Sequence, residues 1–191
     1  MNPITHFLVG WTVGEAAALE HRRDRGLVAV AGILPDLDGF GIVAEKATLA
    51  AGWDEPLLWW TEYHHVICHN LGFGLVVAAG AAWAAKGRRA LVGALALVSV
   101  HLHLLGDLVG AKGPEGYLWP IPYLLPFSDA WEWSWSGAWQ LNAWPNIALT
   151  VVLLATMFRV AWARGRSPLE LVSARADAGF VEALRGRFGS P

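Results

Sequence analysis

His103 and Asp107 stand four residues apart in an apolar stretch with no helix breaker. On a helix both would project from one face. His65 and His69 have the same spacing, and His64 is displaced from their face by about one 3.6-residue helical step, roughly 100°. Asp36 and Asp38 flank Leu37 directly after Pro35. Broken backbone at such a point lets two carboxylates turn toward one centre. His6 lies in the first turns of an N-terminal apolar segment. Imidazole nitrogens with carboxylate oxygens, and no thiolate cluster, suit Zn²⁺, with Mn²⁺ or Fe²⁺ as other fits. The donors outnumber what one tetrahedral site needs, so one ion or two is open. Paired cations about 3.5 to 4 Å apart can activate a water, clamp a phosphoryl oxygen and neutralise a leaving group.

Those residues sit in an unusually greasy chain. Of 191 residues, 55% are hydrophobic and 16% charged, with a mean hydropathy of +0.39. A bilayer is the solvent that composition fits. Ionisable groups at membrane depth are costly unless paired, wet or bound to a cation, so their clustering needs a reason and a metal supplies one. The net charge of −2 gives no basic face for nucleic acid, and that class is set aside. Cys68 is the single cysteine, so no intrachain disulfide can form, and it reads as a small packed residue. Residues 1–6 lack the basic flank of a secretory signal, so the first helices are expected to direct insertion.

The elements follow from punctuation and length. Asn2-Pro3 reads as an N-cap and first helical residue, opening a segment that runs to about Glu20. Residues 27–44 are apolar apart from Asp36 and Asp38, and Pro35 predicts a break halfway. Residues 66–85 and 90–109 each supply about twenty residues, enough to span a hydrocarbon core of ~30 Å. Residues 142–163 form a further span without an acidic residue. The reading is therefore all-α: a polytopic membrane bundle of about five transmembrane helices. Residues 1–164 form the membrane-embedded domain and residues 165–191 a cytoplasmic tail. Between residues 111 and 141 lies a loop rich in Pro, Gly and Trp, suited to a headgroup-level aromatic belt or a lid over substrate. The tail opens with Ser167-Pro168-Leu169-Glu170, a capping-box pattern, and Leu171, Val172, Phe180, Val181 and Leu184 could form one stripe of an amphipathic surface helix.

Twelve of the fourteen Lys and Arg residues fall at 22–25, 86–89 and 159–187, at the opposite ends of the segments from most histidines. Basic residues are retained on the cytoplasmic side, so the His/Asp layer should open on the outer side of the inner (plasma) membrane, with the C-terminus inside. His101 and His21 read as structural or solvent-facing, and Glu15 and Glu20 as partners of the basic turns or of solvent rather than metal ligands.

Thr5-His6, Leu34-Pro35-Asp36-Leu37-Asp38, a His-rich box ending in His69-Asn70, His103-Leu104-Leu105-Gly106-Asp107 and Trp119-Pro120 occur in that order. Together they resemble the YdjM-type family of membrane-bound metal-dependent hydrolases over roughly residues 1–125. That family is itself similar to the zinc-dependent phospholipase C and P1 nuclease group. The resemblance implies a metal set of His6, Asp36, His64, His69, His103 and Asp107 and hydrolysis of a phosphoester, in a lipid or a small molecule. The middle box departs from the family's His-Arg-Gly, two residues, His-Ser: here it reads His64-His65-Val66-Ile67-Cys68-His69-Asn70. The missing Arg removes a phosphate clamp, and His65 rivals His64 as ligand. Asp38 and His65 are the candidates for base or supporting partner. Two other classes use the same residue types: a cation or proton transporter or channel with a midplane polar route, and a non-catalytic membrane scaffold.

Overall fold

The computed structural model describes residues 1–113 and 116–191. It is all-helical, with isolated bridges such as Ile121 to Trp133 in place of sheet. Helix α1 spans Pro3–Ala16, with Asn2 accepting a hydrogen bond from the Thr5 N–H as N-cap. Helix α2 spans Arg22–Ala31. A 3-10 helix, Leu34–Phe40, follows, with Pro35 in its first turn, and leads into α3, Gly41–Ala50. The break at Pro35 is where the missing N–H and fixed φ of proline placed it, and the chain bends there by 50°.

Short helix α4 spans Trp59–Tyr63 and α5 spans Leu71–Ala84. Helix α6, Arg89–Gly110, is the longest, and α7 spans Trp144–Arg164. Helices α6 and α7 are long and apolar enough to cross a membrane, and α2 with the bent segment through Ala50 would make a third span. Helices α1 and α5, of 14 residues each, reach about 21 Å at ~1.5 Å per residue, short of a full hydrocarbon core.

Helix α6 organises the bundle, packing against α1, α2 and α5. Its buried face carries Val92, Ala96, Val100, His103 and Asp107 at three- and four-residue steps. One stripe thus begins aliphatic and ends polar. The aliphatic part meets Val28, Ala31, Ala81 and Ala85 in the core. Close approach depends on small residues: a Cβ on Gly10 would lie 2.5 Å from Ser99 Oγ, and one on Gly32 would lie 2.6 Å from the His6 carbonyl.

The expectations for residues 64–85 and for the tail are corrected. The predicted helix over 66–85 begins only at Leu71, because Asn70 caps it by accepting from the Phe73 N–H. His64 is extended and His65 takes φ +68°, so the His-rich box is a folded loop and His65 and His69 do not share a helical face. The tail is likewise two pieces, a 3-10 turn Pro168–Leu171 and α8, Ala174–Phe188, capped by Ser173. Glu170 does not close a capping box. It forms a paired interaction with Arg25 instead, at 2.7 and 2.6 Å. Glu15 pairs with Arg25, Arg164 and Arg166, which fastens the tail to α1 and α2 at the basic end. In the Trp-rich loop, Pro114 and Glu115 lie outside the described residues.

Candidate metal centre

Asp107 is 6% exposed and receives side chains from four directions. Its Oδ2 lies 2.9 Å from His103 Nε2, 3.4 Å from His69 Nε2 and 3.9 Å from His65 Nε2. Its Oδ1 lies 3.1 Å from His6 Nε2 and also contacts the Met1 amine. Asp36, His69, His103 and Asp107 each offer a ligand atom, all within 4.8 Å of one another.

The outer partners decide what these rings present. His103 Nδ1 lies 2.7 Å from the Gly32 carbonyl, and a carbonyl only accepts, so Nδ1 carries the proton. His69 Nδ1 lies 3.0 Å from Asp38 Oδ2 and donates to it for the same reason. With Nδ1 engaged outward, both rings turn Nε2 inward, and those nitrogens are 3.1 Å apart beside the Asp107 carboxylate. At that distance the two nitrogens must share a proton or a metal ion, and a metal ligand must give up that proton. Asp36 Oδ2 is buried without a hydrogen-bond partner, another atom left for a ligand. The donor set thus fits a small divalent cation, and the carboxylate or carbonyl behind each ring is the usual orienting support of a metal-bound histidine.

Asp38 holds the loop. It accepts from His64 Nδ1 at 2.9 Å, from His69 Nδ1, and from the Cys68 N–H at 3.1 Å. Cys68 is buried and its side chain is not among the four that converge, so it serves as a packed residue beside the loop. His65 is 4% exposed, strained at positive φ, and its Nδ1 is unpartnered. Neither His64 nor His65 joins the tightest four-residue group, although both line the cavity outside it. His6 stacks on His103 with centroids 3.7 Å apart.

That cavity, of about 590 Å³, is lined by Asp36, His64, His65, Asp107, Lys112 and Trp119 among others. Trp119 lies 5.3 Å from His65, and Trp60 stacks on His64 at 3.8 Å. One tryptophan of the Trp-rich loop is therefore part of the site wall. The Gly32 carbonyl, Trp60 and Lys112 went unmarked in the sequence because only the folded loops bring them to the histidines. His101 points elsewhere, 2.9 Å from the Tyr123 hydroxyl, and His21 is exposed, as their positions implied.

No curated protein and no solved structure matches the chain. Residues 1–176 match the family described as YdjM inner membrane protein. With that match over nearly the whole chain and helices able to cross a bilayer, the protein belongs to the YdjM inner membrane protein family.

Proposed function

We propose that the protein is an integral membrane metal-dependent hydrolase that cleaves a phosphoester. The observation that carries this is the convergence of His69 Nε2 and His103 Nε2, 3.1 Å apart, on Asp107, which itself lines a cavity with Asp36, His64 and His65. Asp36, His69, His103 and Asp107 would hold one zinc-like ion, and His6 with His64 or His65 would complete or extend the set. A bound divalent ion would supply Lewis acidity toward a phosphoryl oxygen and toward a water. The chain's own residues do the rest. Asp38 fixes the tautomer and orientation of His69 and His64. His65, which lines the cavity and whose Nδ1 has no partner, is placed to hold the attacking water or its proton. The water oxygen forms the new P–O bond while the ester P–O bond breaks, and the departing oxygen leaves with a proton as the alcohol.

The five-crossing arrangement, with α1 and α5 completing their spans through flanking turns, belongs to the same proposal, as does an outward-facing site. A transporter would need the polar layer to continue. Glu15 is held by three arginines and His101 by Tyr123, so neither extends it. Detergent-purified protein offered soluble phosphomonoesters and phosphodiesters tests the reading. Hydrolysis that a chelator abolishes and zinc or manganese restores is the expected result. Absence of hydrolysis across metals and both ester types would overturn it.

A further inference from the structure

A second cavity of about 770 Å³ lies back to back with the metal-site chamber. It is a groove between α3 and α4, walled by Phe40, Val43, Ala47, Trp59 and Ile67, and its one charged lining residue is Asp38. Its size is that of a ligand pocket, ~300 to 1,000 Å³. Its shape is built: the Glu45 carboxylate accepts from both the Thr61 N–H and hydroxyl at 2.9 Å, and Thr48 Oγ1 accepts from the Leu57 N–H at 3.0 Å, pinning α4 and its approach across α3. The partition from the chamber is one hydrogen-bonded pair thick, Asp38 on the groove side and His64 on the chamber side. Trp59 lines the groove and its neighbour Trp60 the chamber.

The chamber has the opposite character. Lys112 lines it beside Asp36 and Asp107 and forms no ion pair among the described residues. Its backbone is fixed by donation to the Trp139 carbonyl at 3.1 Å. A cation beside the metal site suits a phosphate. An apolar slot and a phosphate-seeking chamber on two sides of one partition match one kind of molecule.

We propose that the substrate is a phosphate-bearing membrane lipid, seated with its phosphate in the chamber against Lys112 and one hydrocarbon chain in the α3–α4 groove. This rests on the phosphoester reading and narrows it. A lipid enters from the bilayer side, where Phe40 and Val43 are 70% and 64% exposed, so it need not cross water. The groove then discriminates by chain and the chamber by phosphate.

Phosphatidic acid with a photoactivatable diazirine on one chain tests the seat without relying on turnover, using the full-length protein in nanodiscs. Labelling should concentrate on residues 37–47 and 59–68, and fall about tenfold in an Ala44→Phe/Ala47→Phe double variant that fills the slot. Lys112→Ala should reduce it to the level of an identically labelled diacylglycerol. Val43→Ser is a milder variant with the same expected direction, and Val151→Phe on the exposed face of α7 should change nothing. Label spread evenly over the lipid-facing helices, or unaltered by the groove variants, overturns the proposal. Turnover of 4-nitrophenyl phosphate separates the two ideas. If it persists while labelling is diffuse, the hydrolase stands and the lipid seat fails. If labelling is focused while neither ester is hydrolysed under any metal, the seat stands and the hydrolase fails.

Discussion

Asp38 touches no atom of the tight four-residue group's open side, yet it bonds His64, His69 and the Cys68 N–H together. Asp38→Asn keeps the shape but places an amide donor against ring N–H groups. Metal affinity should fall about 10- to 100-fold, the usual cost of losing an orienting partner, as measured by competition with a chromogenic chelator. An unchanged affinity would remove Asp38 from the centre. His65 tests a different quality. Its left-handed backbone strains most residues but suits Asn, so His65→Asn should keep the thermal midpoint within a few degrees while hydrolysis falls by roughly two orders of magnitude, the scale of a lost acid-base group. His103 and Asp107 were legible as a pair because helical spacing alone puts them side by side. The double grip of Asp38 was not, since it depends on a loop whose path no periodicity records.

Helices carry the site through their close approaches. Gly32 supplies the carbonyl that orients His103 and sits against the His6 carbonyl, so Gly32→Ala should prise α1 from α2, costing about 1–3 kcal/mol and loosening the metal together with the fold. Thermal unfolding in detergent, read with and without zinc, checks both effects. At the basic end Arg25 and Glu170 are both buried, so Glu170→Ala should cost about 1–3 kcal/mol, because Arg25 loses two charged hydrogen bonds but keeps Glu15 at 3.3 Å. Pro35 announced its break, and Asn2 its cap. Asn70 gave the same kind of cap signal at the start of α5, but the apolar run on both sides of it, Val66-Ile67 and Leu71 onward, masked the boundary. Glu170 was misread for the related reason that a capping-box pattern is local, whereas its partner Arg25 is 145 residues away.

The whole molecule is polarised, with arginine–glutamate pairs at one end and the His/Asp centre toward the other. Hydropathy and the basic clusters made that polarity readable from sequence, since they depend on composition along the chain rather than on contacts. The number of crossings was less readable because α1 and α5 are shorter than their apolar segments. Orientation has its own check. Cys68 is 7% exposed, so the native chain should resist maleimide. Asp129→Cys should then label in intact cells with a membrane-impermeant reagent, and Ser190→Cys only after permeabilisation. The reverse pattern would turn the site to the cytoplasm. The most direct test of the centre itself is X-ray absorption with metal quantification on zinc-loaded, purified protein. Stoichiometric zinc with a nitrogen and oxygen shell at about 2.0–2.2 Å, lost in His69→Ala and His103→Ala variants that still fold, is the predicted result. Protein that binds no stoichiometric metal, or keeps it undiminished without those imidazoles, would contradict a shared ion at Asp36, His69, His103 and Asp107.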